Sequence, residues 1–192
     1  MKTENKEIEI LARGACLKGG KVLVCRNRKH GNVYLPGGHV DWGEDSKHAL
    51  AREWREELGV PCKAGRFLGV VEQAYTARGG PTCEISLLFE VLCPKISAKK
   101  NPPSAEPHIE FEWVPLKDLK KSGLLPLAMA EHLPAWATKP AAAAARWHGF
   151  RWKTIFHTME NFSWRSARRC PRPCQNELRL NAAGADRDPS EG

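Results

Sequence analysis

The chain has 192 residues, a formal net charge of +8 and seven cysteines, a length that fits one domain of about 100–150 residues plus an extension. Its basicity is mild enough to suit an anionic substrate without specifying one. With no amino-terminal signal pattern and no apolar run of about 18 residues, a soluble, cytoplasmic protein is the default expectation.

Apolar runs, alternating or continuous, predict strands over residues 8–17, 21–25 and 33–35, with Gly19 and Gly20 as a tight hairpin turn between the first two. A glycine-rich turn at Gly37 and Gly38 follows. Residues 45–58 contain neither Pro nor Gly and predict a helix. Further strands are expected over 67–75 and 83–92, separated by Gly79, Gly80 and Pro81, and over 109–114. Helices are expected over 116–121 and 127–138. Strands interleaved with few helices predict an α/β or α+β sandwich on a mixed sheet. Several cysteines fall in these strands, where a free thiol behaves as a small buried hydrophobe, and no disulfide framework is expected.

The helix over 45–58 carries the chemistry. Leu50, Trp54 and Leu58 recur at i, i+4 and i+8 and make one apolar stripe. Gly43, Glu44, Asp45 and Ser46 supply a cap and first-turn acids, while Gly59 and Pro61 supply the stop. Glu53, Glu56 and Glu57 stand beside the stripe at i, i+3 and i+4. The like-charged pair Glu53 and Glu57 costs a bare helix about 0.2–0.5 kcal/mol, a repulsion that a divalent cation reverses. Mg²⁺ takes oxygen ligands, usually a few carboxylates with water and substrate phosphates, and the same donors serve Mn²⁺. Arg52 is placed to pair with Glu56 one turn on. The competing reading is a solvated mixed-charge face, which leaves the glycine turn and the Glu44 spacing unexplained.

From Gly38 to Val60 the chain reads GHVDWGEDSKHALAREWREELGV, which resembles the signature of the Nudix hydrolases. Every fixed position is filled, and Trp54 stands where the family usually carries an aliphatic residue. The resemblance covers about residues 8–138. It implies an α/β/α sandwich that cleaves the diphosphate bridge of a nucleoside diphosphate linked to another group. It also implies Mg²⁺ or Mn²⁺ held by Glu56, Glu57, Glu53 and the Gly38 carbonyl, with Glu53 as further ligand or general base. Arg52 would orient the glutamates, making Glu53, Glu57 and Arg52 the catalytic set, and Glu44 would hold the loop or a second ion. Family members often add a downstream acid, and Glu106 is the candidate here. Tyr75 lies where dinucleoside-polyphosphate members tend to carry a tyrosine, and could stack a base. Arg26 and Arg28, leading into the motif loop, are candidate phosphate contacts or solvated side chains. His39 could reach a phosphate or serve only the loop. A non-catalytic module that binds nucleotide or RNA is the alternative, against which the intact glutamates argue.

The sequence thus divides into a domain over 1–139 and a basic, aromatic extension over 140–192. The extension carries nine Lys and Arg against five Asp and Glu. Its basic and aromatic residues could grip nucleic acid, lie on a membrane surface or cover an apolar patch. The plainer reading is a weakly ordered extension. Cys170 and Cys174 could join His148 or His157 at zinc, although no second paired half exists. A homodimer is a further expectation.

Overall fold

The first strand, β1 (Glu7–Lys18), lies inside the sheet, and its alternation assigns residues to the two faces. Ala12 and Cys16 enter one core and Ala15 the other. In this computed structural model the described residues are 7–77, 80–138 and 147–148, all within one compact unit, Met1–Arg151. Gly19 and Gly20, at φ 57° and 74°, turn the chain into β2 (Lys21–Asn27), as their pairing predicts. Then come β3 (Val33–Tyr34), β4 (Gly37–His39), α1 (Ser46–Leu58), β5 (Lys63–Ala77), β6 (Gly80–Leu92) and β7 (Ile109–Pro115). A 3₁₀ turn (Leu116–Asp118), α2 (Leu119–Ser122), α3 (Leu127–Thr138) and β8 (Trp147–His148) complete the described elements.

Along the sheet the order is β3-β2-β1-β6-β5-β8, with β4 also on β1 and β7 also on β2. β1 runs parallel to β6 and β5 parallel to β8, while β5 and β6 form a long antiparallel pair. The sheet is therefore mixed. α1 covers one face through Leu50, Trp54 and Leu58, against Ala12, Leu23, Phe89 and Phe111. α3 covers the other through Met129, Leu133 and Trp136, against Val24, Leu68 and Val71. The architecture is the expected α/β/α sandwich.

The α1 boundaries follow from local chemistry. Asp45 caps the helix by accepting from the Lys47 and His48 amides at 2.9 and 3.1 Å. Gly59 ends it in the left-handed conformation at φ 67°. One local expectation is corrected: Gly37 and Gly38 are not a turn but the start of β4, paired with Arg13 and Ala12 of β1. A Cβ on Gly37 would lie 2.1 Å from the Ala12 carbonyl oxygen, so only glycine allows that approach. Cys16, Cys25, Cys62, Cys83 and Cys93 are free thiols, and burial pushes the Cys16 thiol up to about 11. Cys170, Cys174 and His157 lie outside the described residues, as does nearly all of the extension. Among the described residues no helix is long and apolar enough to cross a membrane.

Trp54, the departure from the usual aliphatic residue, is wholly buried, and its indole N–H has no partner. Its space is supplied by Gly14. A Cβ on Gly14 would meet Val91 Cγ2 at 2.6 Å, Leu50 Cδ1 at 3.1 Å and Trp54 Cζ3 at 3.3 Å. Gly14→Ala is therefore expected to destabilise the protein by about 1–3 kcal/mol through overpacking, read from the urea midpoint. A midpoint equal to that of the parent would show that Val91 gives way freely.

Candidate active site

The site is assembled where β4 delivers the Gly37–Gly38 backbone to the side of α1. The Gly37 amide donates to Glu57 Oε2 at 3.1 Å, while the Gly37 carbonyl accepts from Arg13 Nη1. The same Arg13 nitrogen donates to the Leu35 carbonyl at 3.2 Å, and the guanidinium lies 5.2 Å from the centre of the Tyr34 ring. The two peptide groups that flank the Gly37 Cα are thus each held by a side chain distant in the chain. Gly38 gives up side-chain volume to Glu53, whose carboxylate carbon would lie 2.5 Å from a Cβ there. Any larger residue would push Glu53 away from the loop backbone.

Arg52 neutralises the carboxylates around it. Its guanidinium donates to both oxygens of Glu44 at 3.1 and 2.9 Å, to Glu53 at 2.8 Å and to Glu56 at 3.4 Å. It also reaches the His39 carbonyl at 3.0 Å, fastening the loop to the helix. Hydrogen bonding to Arg52 holds the Glu44 carboxyl below its ordinary range. The expected pairing with Glu56 is present, but it is the longest of these contacts.

Glu57 is the outlier of the three helix glutamates. Only 6% of it is exposed, and burial pushes its pKa from the ordinary 4.5 up to about 8. The Gly37 amide and the Arg13 charge pull it down, whereas Glu53 and Glu106 push it further up. Glu106 arrives through the loop before β7. The Ala105 amide and the Ser104 hydroxyl donate to the Glu57 carbonyl at 2.8 and 3.3 Å, seating that loop on the end of α1. Glu106 is also 3.2 Å from His108.

The side chains of the other expected site residues have partners other than Glu53, Glu56 and Glu57. Arg26, two positions from Val24 on β2, extends from the face that carries α3 and meets Glu112 at 3.3 Å and Glu110 at 3.9 Å. Arg28 donates to the Ile109 carbonyl at 3.1 Å and lies 4.0 Å from Glu110. His39 lies 3.7 Å from Glu9. Tyr75, 41% exposed, donates to Glu9 at 3.1 Å and borders a cleft of about 460 Å³ lined also by Arg13, Tyr34, Gln73 and Glu84. Arg13 therefore belongs both to this cleft and to the Gly37 peptide. It was missed in the sequence, where the one signal was an arginine within the apolar alternation of a long predicted strand.

Among the described residues no three acidic, His or Cys side chains already converge as a metal cage. The donor chemistry nevertheless fits a hard divalent ion, because the groups that could ligate it, the Glu53, Glu56 and Glu57 carboxylates and the Gly38 carbonyl, are all oxygens. The missing Gly38 side chain lets the Glu53 carboxylate lie against the loop backbone.

The same fold is seen in the crystal structure of the MutT protein from Methanosarcina mazei Go1. That structure superposes with a TM-score of 0.52 at 24% identity, over 70% of this chain and 96% of that one. The NUDIX domain model matches residues 10–136, and the chain belongs to the Nudix family. It is 30% identical over 115 residues to a protein of Mycobacterium tuberculosis named putative 8-oxo-dGTP diphosphatase 2, covering 58% of this chain and 76% of the relative. It is 29% identical over 96 residues to an ADP-ribose pyrophosphatase of Methanocaldococcus jannaschii, covering 48% of this chain. The match spans 57% of the length of that archaeal relative.

Between its ordinary 4.5 and about 8, Glu57 binds more protons in the folded than in the unfolded chain. Its contribution to stability is thus fully present below 4.5 and is lost as the pH rises through about 8. In chelator-treated protein, unfolding free energy should fall between pH 5 and pH 8 by about 1.4 kcal/mol per unit from this group. Glu57→Gln should flatten that slope. Parallel profiles for the two proteins would remove Glu57 as its source.

Proposed function

We propose that this protein is a divalent-metal-dependent pyrophosphohydrolase acting on a nucleoside diphosphate linked to a further group, with nucleoside triphosphates and dinucleoside polyphosphates as the favoured substrates. The observation that carries this reading is the buried Glu57 carboxylate, bonded to the Gly37 amide beside Glu53 and Glu106, while Arg13 bonds the carbonyl of the same glycine and lines the cleft. In this reading Gly38, through its carbonyl, and Glu53, Glu56, Glu57 and Glu106 hold Mg²⁺ or Mn²⁺. When bound, such an ion neutralises phosphate oxygens and lowers the pKa of a bound water.

The protein's own groups supply the rest. Glu53, fixed by Arg52 at 2.8 Å, takes the proton of the attacking water. Arg52 keeps the neighbouring carboxylates oriented and reduces their mutual repulsion. Arg13 spends one of its nitrogens on the loop carbonyls. Its remaining guanidinium donors suit the non-bridging oxygens of a phosphate, where planar N–H pairs bind well. Tyr34 and Tyr75 give the cleft aromatic surface for a base. The names of the two relatives, one acting on an oxidised purine nucleotide and one on ADP-ribose, are consistent with nucleotide chemistry here.

The test is phosphate release, coupled to pyrophosphatase or phosphatase, across a panel with Mg²⁺ and then Mn²⁺. The panel comprises nucleoside triphosphates, dinucleoside polyphosphates, ADP-ribose, nucleotide sugars and 5′-triphosphorylated RNA. Turnover of one class should vanish with chelator and fall by about 10²-fold or more in Glu57→Gln at an unchanged circular dichroism spectrum. Arg52→Ala should lose about 10–100-fold by disorienting the carboxylates. Nucleotide binding with no turnover by the folded parent would transfer the assignment to a non-catalytic binding module.

A further inference from the structure

Glu84 is a carboxylate in a place that packing alone does not require. It sits on β6, which is paired on both sides, yet its side chain faces the cleft and only 7% of it is exposed. Burying such a group is costly unless it is hydrogen-bonded, and two neighbours provide bonds. Gln73 Nε2 donates to Glu84 Oε2 at 2.7 Å, and the Ser86 hydroxyl donates to Oε1 at 2.6 Å. A carboxylate offers about four acceptor sites, so these bonds fix its orientation and leave acceptor capacity. Because the Gln73 amide nitrogen is committed to Glu84, the Gln73 carbonyl oxygen is a second acceptor beside it. The floor of the cleft is thus rich in acceptors.

A ligand that matches this floor must offer adjacent donors on a flat edge. Tyr34 and Tyr75 border the same cleft, and Leu125 and Pro126 add apolar surface, which suits a planar ring. Among the common bases, guanine alone presents a ring N–H beside an exocyclic amino group. Adenine and cytosine present one amino group next to a ring nitrogen acceptor, and uracil places carbonyls on both sides of its N–H. Each of those would set lone pair against lone pair. Arg13 lines the cleft and also bonds the Gly37 carbonyl, so it connects the cleft to the strand that carries Gly38.

We propose that Glu84, oriented by Gln73 and Ser86, is the residue that selects the base, reading the ring N–H and amino group of a guanine-type purine. The assignment rests on the nucleotide reading of the site. Oxidation at the imidazole carbon leaves this edge unchanged, so guanine and its 8-oxo form are read alike by Glu84.

The experiment is calorimetric binding of GTP, ITP, XTP and ATP to the full chain in Ca²⁺, with hydrolysis in Mg²⁺ measured separately. ITP lacks the amino group, and XTP replaces it with a carbonyl. The parent should bind GTP at least about tenfold more tightly than each of the others. Glu84→Gln should collapse that ratio towards one. Glu84→Asp, which withdraws the carboxylate by one methylene, should give an intermediate ratio, and it carries the test if the glutamine variant melts early. An unchanged ratio in a folded Glu84→Gln protein would overturn the proposal. So would equal weakening of every nucleotide with 2′,3′-dideoxy analogues spared, which would place a sugar on Glu84. Guanine-selective binding that depends on Glu84, in a protein without turnover, would sustain the inference while refuting the proposed hydrolysis.

Discussion

The Gly37 peptide is the constraint on which the site depends. Its N–H is bound by Glu57 from α1 and its C=O by Arg13 from β1, so the two consecutive peptide planes that meet at the Gly37 Cα are each tied to a different element. The approach of β4 to β1 needs a residue without Cβ, and the helix presents Glu57 inward although Glu56 beside it faces water. Glu57 therefore has a double role. It is a structural acceptor for the loop and an acid whose protonation is displaced by burial. Arg13 links the same peptide to the cleft, so the position of the loop and the shape of the binding surface are not independent.

Charge around this peptide is arranged by a second arginine. Arg52 satisfies Glu44, Glu53 and Glu56 together while also holding the His39 carbonyl. Isolated exposed ion pairs contribute little to stability, and the value of this one lies in orientation. It keeps three carboxylates from repelling one another and keeps the motif loop near the helix. Glu57, outside that network and behind it, is left with the Gly37 amide and the Arg13 charge. This division explains why Glu44 is drawn below its ordinary range while Glu57 is raised well above it.

The two faces of the sheet divide the work. α1 and its acids are packed on one side, through Leu50, Trp54 and Leu58. The cleft opens on the side that carries α3, where Gln73, Tyr75 and Glu84 share the strand alternation of the β5 and β6 pair. Packing adjusts to this plan in detail. Trp54 is larger than the residue usual at its position, and the absence of a side chain at Gly14 accommodates it. The orphaned Trp54 indole N–H is the remaining cost of that exchange.

Much of this was legible before folding was considered. The α1 limits, its buried stripe, the Gly19–Gly20 hairpin and the span of α3 follow from caps, period and glycine placement, which act within a few residues of the chain. The acidic pattern at Glu53, Glu56 and Glu57 was readable for the same reason, since helix geometry fixes neighbours three and four apart. The β4 strand was not, because glycines that turn and glycines that pair closely look alike until the partner strand is known. Arg26 and Arg28 pointed to phosphate by proximity in sequence, yet the sheet register sets Glu110 and Glu112 against them. Arg13, Gln73 and Glu84 carried almost no local signal. Their meaning comes from the parallel pairing of β1 with β6 and the antiparallel pairing of β6 with β5. The sequence by itself determined which acids stand on one helix and where that helix begins and ends. Only the tertiary structure decided which of them is buried and which distant side chains share its cleft, because burial and long-range register arise from the packing of the whole sheet.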